Sequence, residues 1–324
     1  MRIRRVTVIG GSGFIGRYIV KRLARRGIVV AVVARHATAA GYLKPMGDVG
    51  QIALIDAGLR DEAVLAASLE GADAVISAAG ILYERGRQRF DVVHHQGPAR
   101  LARLARAAGC RRFVHISAIG ADPQSPSAYA RSKAAGEAAV RDGFPGATIL
   151  RPSVVFGPED DFFNRFAGLA RFLPALPLIG GGHTRFQPVY VGDVADAVVA
   201  ALDLAEAPGR IYELGGPEVL TFRQLMELTL REIQRRRLLV TVPFALASLE
   251  ATFLELLPKP PLTRDQVKLL RRDNAVAPGM PGLVDLGITP TAMELVLPFY
   301  LDRFRRGGRW RAAARTAAAG PSRG

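Results

Sequence analysis

The chain has 324 residues, 49% of them hydrophobic, and a formal net charge of +15. That apolar content supports one large core with a smaller lobe beside it and excludes disorder for most of the length. The single cysteine, Cys110, excludes an intramolecular disulfide and a thiolate cluster for zinc or iron–sulfur, and fits a reducing compartment.

In chain order, Met1-Arg2-Ile3-Arg4-Arg5 has the charge of a signal-peptide start, but the apolar run after it is broken by Gly10, Gly11 and Gly13, so no export signal is expected. The uncharged run Val6 to Ile9 predicts a buried parallel strand. It leads through Gly10-Gly11-Ser12-Gly13-Phe14-Ile15-Gly16 into an amphipathic helix over 14–26. Glycines at a spacing of three between a strand and a helix suit a dinucleotide. The backbone turns tightly, approaches a pyrophosphate where a Cβ would collide, and offers the N–H groups of a helix N-terminus.

A second strand is predicted over 28–34, ending at Arg35-His36, where the adenosine ribose is expected. An acidic residue there suits the 2′-hydroxyl of NAD, whereas Arg35 suits a 2′-phosphate, with Arg17 as support. NADPH is therefore expected over NAD. Strand three (52–55) ends at Asp56, expected at the adenine edge, and a helix covers 61–70. Strand four (73–78) runs into Ala78-Ala79-Gly80, small residues against which the cofactor ribose would lie. A helix over 89–108 buries Leu101, Leu104 and Ala108, and strand five covers 112–117. This alternation predicts a Rossmann-type, doubly wound parallel α/β sheet.

Tyr129 and Lys133, four residues apart, share a face of the helix that runs to Arg141. An ammonium beside a phenol lowers the phenol's pKa, and the pair suits acid–base work on a carbonyl or alcohol. Strand six (147–150) leads into Arg151-Pro152-Ser153-Val154-Val155-Phe156-Gly157, where Pro152 and Val155 are expected nucleotide contacts. Helices follow at 162–172 and, begun or capped by Asp193, at 193–204. A last strand covers 210–214, and 221 onward is mostly helical. The expected division is a nucleotide-binding domain over 1–156 to which 193–215 return, a smaller lobe from 157–192 and 216–304, and a basic tail over 305–324.

The apolar run Phe244 to Leu257 lies between Pro243 and Pro258, contains Glu250 and Glu255, and is too short to span a bilayer. The tail sets arginines around Trp310 and reads either as a disordered solvated segment or as an anchor on an anionic membrane surface. The net charge itself calls for an anionic partner or surface. Only five cations are lysine (Lys21, Lys44, Lys133, Lys259 and Lys268), an arginine bias that genome composition alone can produce.

The glycine pattern, the Tyr129/Lys133 pair and the run from Arg151 resemble the extended short-chain dehydrogenase/reductase superfamily. Narrower stretches resemble the NADPH-containing accessory subunit of respiratory complex I in its bacterial form: Leu43 to Gln51, Gly80 to Glu84, Gly86 to Phe90, Phe156 to Asn164 and Leu262 to Val267. The resemblance covers the chain to about Phe304. It implies a tightly held NADPH without turnover, in a subunit docked on the peripheral arm of complex I, at the cytoplasmic side of the inner membrane and without a span or a metal. Superfamily enzymes carry a serine or threonine two residues beyond the position of Ser117, and here that position is Ile119, which has no donor for an oxyanion. Ser117 is a displaced substitute, and Ser125 and Ser127 lie in a proline-containing loop. Against this reading stand an NADP-dependent reductase, epimerase or dehydratase using Tyr129 and Lys133, and RNA binding through arginine. The last is disfavoured because no stacking-aromatic motif accompanies the charge.

Overall fold

The computed structural model describes residues 3–258 and 260–308. Short β-branched runs form the strands: β1 (Arg5–Ile9), β2 (Val29–Ala34), β3 (Ile52–Asp56), β4 (Ala74–Ser77), β5 (Arg112–Ile116) and β6 (Thr148–Pro152). Then follow β7 (Val155–Phe156), β8 (Ala175–Ile179), β9 (Arg185–Phe186), β10 (Val189–Tyr190), β11 (Ile211–Leu214), β12 (Leu220–Thr221) and β13 (Leu238–Val242). The main sheet has seven strands in the order β11-β6-β5-β4-β1-β2-β3, and all its pairings are parallel.

Because parallel strands are buried on both faces, helices cover the sheet on each side. On one face, α1 (Phe14–Arg25) packs beside α6 (Val191–Asp203), with Ile19, Leu23, Val194 and Val198 in a shared core. Arg22 pairs with Asp196 and Arg26 with Asp203 across that helix pair. On the other face lie α2 (Glu62–Leu69), α3 (Gly97–Ala107) and α4 (Ala128–Gly143), which contribute Leu65, Leu101 and Val140 to a second core.

The helix expected over 89–108 is not uniform. Asp91–Gln96 forms a π-helical turn ahead of α3, and the buried stripe of α3 is Leu101, Ala102 and Ala105, with Ala108 exposed. The turn pushes the carbonyl of His94 so close to α4 that a Cβ on Gly136 would stand 1.8 Å from it. Asp193 does not cap its helix. It sits in the first turn of α6 and accepts from the N–H and hydroxyl of Thr291 at 2.7 and 2.8 Å, which ties the C-terminal segment to the sheet.

The smaller lobe packs α5 (Phe162–Phe172), α7 (Phe222–Glu232), the parallel pair β8–β13 and, further along, α8 (Phe244–Leu254), α9 (Arg264–Leu269) and α10 (Leu297–Leu301). Its core holds Phe163, Leu176, Leu225, Met226 and Leu297. Buried Asp160 accepts from Tyr300 Oη, Gly157 N–H and Asn164 N–H, which pins the loop between β7 and α5. No described helix is long and apolar enough to cross a membrane. Most of the arginine-rich tail, with Trp310, lies outside the described residues.

Candidate functional site

The sheet order reverses between β1 and β4, and at such a point the loops leaving the strands part to make a crevice. Register levels the strand ends there: Ile9 lies opposite both Val33 and Ser77, and Ala34 opposite Asp56. A cavity of about 990 Å³ opens over these ends and extends toward the smaller lobe.

Its sheet-side wall is largely backbone. Gly10 has φ +80°, and a Cβ there would stand 2.8 Å from Ala79 N, so β1 and β4 leave the sheet in close approach. A Cβ on Gly16 would meet Gly10 O at 2.2 Å, which seats α1 directly on the turn. Gly13 is the N-cap of α1 and makes no side-chain cap, and the first turn carries no acidic residue. The first intrahelical bond runs from Arg17 N–H to Gly13 O, so the N–H groups of Phe14, Ile15 and Gly16 precede the helical ladder and suit an anion.

Ser12, Gly13, Phe14, Ile15, Arg35, Asp56, Ala78, Ala79, Gly80, Ser117, Tyr129, Lys133, Pro152 and Val155 line the cavity with Gly10. Gly11, Gly16, Arg17 and His36 stand behind or outside that lining. Gly11 packs on Val32, Val20 and Val8. Arg17 pairs with Glu159 at 3.4 Å and lies over the ring of Tyr42, so its charge is engaged away from Arg35. His36 is exposed. Asp56 Oδ2 accepts from Ala37 N–H at 3.3 Å.

Tyr129 and Lys133 reach the cavity from α4, whose N-terminus is fixed by two residues. Ser127 is the N-cap, accepting from Ala130 N–H. Asp265 of α9 accepts from Ser127 Oγ, Ala128 N–H and Tyr129 N–H at 2.7, 2.7 and 3.0 Å, a carboxylate placed at the positive end of the helix. The Tyr129 ring meets those of Phe90 and His94 edge-on at 5.8 and 5.3 Å. Lys133 is buried, with Nζ 5.9 Å from the Tyr129 ring centroid and donating to Ile116 O at 3.2 Å.

The expected lowering of the phenol's pKa does not occur. Burial pushes Tyr129 up to about 12 and Lys133 down to about 8, because enclosure penalises both charged forms, for Lys133 against the opposing pull of Glu137. Tyr129 is therefore a neutral hydrogen-bond donor at neutral pH.

Two histidines beneath this pair gave no sequence signal. His94 Nε2 accepts from Ile81 N–H at 3.1 Å, so its proton sits on Nδ1, 2.9 Å from Ser132 Oγ. His115 Nδ1 lies 3.1 Å from Ser77 Oγ, and its Nε2 is buried with no hydrogen-bond partner among the described residues. Burial, reinforced by the nearby Lys133 charge, lowers His94 to about 2 and His115 to about 3, so both are neutral.

Two of the three candidate oxyanion serines, Ser117 and Ser127, donate to carboxylates. Ser117 Oγ donates to Glu137 Oε1 at 2.5 Å; Glu137 in turn receives both Nε and an Nη of Arg151 at 2.8 and 2.7 Å. Ser117 is thus part of a buried ion-pair network and not a substitute donor. Ile119 lines the cavity with an aliphatic side chain, Ser127 serves α4 as a cap, and Ser125 lines the cavity with its Oγ accepting from Ser127 N–H and its own O–H left to donate. Asn274, which the sequence did not mark, reaches the cavity from the C-terminal segment and bonds Ser153 Oγ and Val154 N–H through its Oδ1.

The family model described as the NAD dependent epimerase/dehydratase family matches residues 6–215, the span that builds this sheet and crevice. The chain belongs to that family. Among proteins of known name, this family member is 37% identical over 314 residues to the mitochondrial NADH dehydrogenase [ubiquinone] 1 alpha subcomplex subunit 9 of Arabidopsis thaliana, a match covering 93% of this chain and 78% of that one. It is 35% identical to the protein of the same name from Mus musculus, covering 92% and 80%. Among solved structures, dTDP-glucose 4,6-dehydratase from Streptomyces venezuelae with NAD bound superposes with a TM-score of 0.70 at 22% identity, covering 95% of this chain and 98% of that one. The glycine cradle is consistent with the NAD(P)-binding fold of this epimerase/dehydratase.

Proposed function

We propose that this chain is an accessory or assembly subunit of the membrane-associated respiratory NADH:quinone oxidoreductase, complex I, and that NADPH is held in it as a structural element and not turned over. Similarity to named subunits, 35–37% identical over more than nine-tenths of the chain, supports the assembly. The observation that supports the absence of turnover is the commitment of Ser117 to Glu137 together with the aliphatic Ile119, which leaves those two positions without a hydroxyl donor for a carbonyl.

The residues fit the group. The N–H groups of Phe14, Ile15 and Gly16 would face the pyrophosphate, Arg35 the 2′-phosphate, Asp56 the adenine edge, Ala78–Gly80 the adjoining ribose, Lys133 the nicotinamide ribose, and Pro152 and Val155 the nicotinamide end. Bound NADPH supplies hydride chemistry; the chain's own contribution here is to bind it and stabilise the native fold by RT ln(1 + [L]/Kd). Denaturing the purified protein should release one NADPH per chain, and detergent extraction should recover the chain in a respiratory assembly. A chain found solely as a free species without nucleotide would refute the proposal.

A reductase or epimerase is the second reading, favoured by one observation: the Tyr129 hydroxyl has no protein hydrogen-bond partner among the described residues and Lys133 lies beneath it. Oxidation of the bound NADPH in a panel of carbonyl compounds, lost in Tyr129→Phe, would establish it. The basic tail is proposed to lie on an anionic membrane surface at the cytoplasmic side of the bacterial inner membrane. Removing residues 309–324 should weaken cosedimentation with phosphatidylglycerol vesicles, and unchanged binding would refute the tail's part.

A further inference from the structure

The lobe side of the cavity has a different lining. Phe162 and Phe166, one helical turn apart on α5, join Phe186 of β9 and Phe222 of α7 in a continuous wall. Ring centroids are 5.3 Å apart for Phe162–Phe166, 5.4 Å for Phe166–Phe222 and 6.1 Å for Phe162–Phe186. Phe162 and Phe166 are half-buried and present their rings to the cavity, while Phe186 and Phe222, against which they pack, are buried in the lobe's core.

Two of the arginines that share this lining are paired with carboxylates. Arg165 donates to Pro261 O at 2.6 Å and pairs with Asp161 at 3.1 Å, Arg272 pairs with Asp122 at 2.8 Å, and Lys268 donates to Pro126 O at 3.3 Å. A diphosphate placed here would compete with Asp161 and Asp122 for Arg165 and Arg272. Where this half meets the nucleotide half, the neutral Tyr129 hydroxyl stands as a donor beside the aliphatic Ile119.

We infer that this half of the cavity binds a long-chain apolar molecule, acyl or isoprenoid, whose single acceptor oxygen takes the hydrogen bond of Tyr129 while its chain lies along the phenylalanine wall. The inference rests on the reading that the other half holds the nucleotide, since the two ligands would meet at Tyr129. An aromatic wall gives an apolar chain the contacts it needs with few directional demands, and one donor at the far end fixes its orientation.

The test uses the purified full chain with its nucleotide as isolated, and cis-parinaric acid, a fluorescent polyene fatty acid, as the probe. One saturable equivalent should bind, and decylubiquinone or a long-chain methyl ketone should displace it while UDP-glucose should not. Phe166→Arg should weaken the probe at least about tenfold, because the guanidinium would lie in the apolar half, with the chain still folded and its nucleotide content unchanged. If that variant does not fold, Leu262→Arg makes the same test from another wall. Tyr129→Phe should weaken the ketone and spare a plain hydrocarbon competitor. Solvent extraction of the purified chain followed by mass spectrometry distinguishes an acyl from an isoprenoid occupant. Displacement by UDP-glucose, or probe binding indifferent to both arginine variants, would overturn the inference. Probe binding that persists in a chain releasing no nucleotide would refute the nucleotide reading and leave this one standing.

Discussion

On the sheet side of the cavity the wall is main chain, with Gly10 against Ala79 and Gly16 against Gly10; on the lobe side it is side chain, with four phenylalanines drawn from α5, β9 and α7. Backbone walls tolerate almost no change because no rotamer can move aside, whereas an aromatic wall repacks. The first half is therefore specific for the shape and charge of one ligand, and the second for apolarity alone. Asp265 joins them, since a residue of the lobe holds the end of the helix that carries Tyr129.

The largest expected effect is on the rigid side. Gly16→Ala places a methyl 2.2 Å from Gly10 O and should cost about 4 kcal/mol or more, measured by urea unfolding, together with loss of the bound nucleotide. A fully stable Gly16→Ala chain that still holds NADPH would break the contrast between the halves.

Acid comes next. Burial holds His94 and His115 near 2 and 3 in the native state, against about 6.5 for an exposed imidazole. The unfolded chain therefore binds more protons, and stability falls as pH drops below 6.5, continuing toward about 3. Each histidine should contribute about 1.4 kcal/mol per pH unit in that window. His115→Asn should roughly halve the proton uptake measured on unfolding at pH 5; an unchanged uptake would show that this site is not held neutral.

Asp265→Ala removes the acceptor of three hydrogen bonds at the start of α4 and should cost about 2 kcal/mol. Because it loosens the junction between the halves, nucleotide affinity should fall with it in a fluorescence titration. Arg35→Ala should weaken NADPH about tenfold, or about 1.4 kcal/mol, and leave NADH unchanged; equal loss for both would remove Arg35 from the 2′-phosphate. Smallest is Phe166→Leu, expected to cost about 1 kcal/mol with nucleotide content intact, as a repacking wall should allow.

The rigid half was readable in the sequence because it is local. A strand, a glycine turn and a helix in succession, repeated apolar runs, and Arg35 at a strand end each declare themselves within a few residues, and the sheet follows. The other half is assembled from residues distant in sequence: Phe166 and Phe222 meet through the lobe's tertiary packing, and Asp265 reaches Tyr129 across the interface between the two regions. No local pattern marks them. The sign of the Tyr129 shift was misjudged for a related reason. A neighbouring cation four residues away is visible in a sequence, but the enclosure that raises the phenol comes from Phe90 and His94 on another helix.

The π-helical turn at Asp91–Gln96 also shifts the helix out of phase. It absorbs one extra residue without a loop, and one residue is about 100° of rotation. Counting back from Leu101 at regular spacing therefore arrives on the wrong face of the helix before it reaches Phe90. Removing one residue from the turn should rewind the segment as regular α-helix, swing His94 out from under Tyr129, and withdraw the carbonyl that Gly136 now accommodates. The π-helical turn and Gly136 are therefore coupled: the turn sets the His94 carbonyl where only a residue without a Cβ fits on the facing helix.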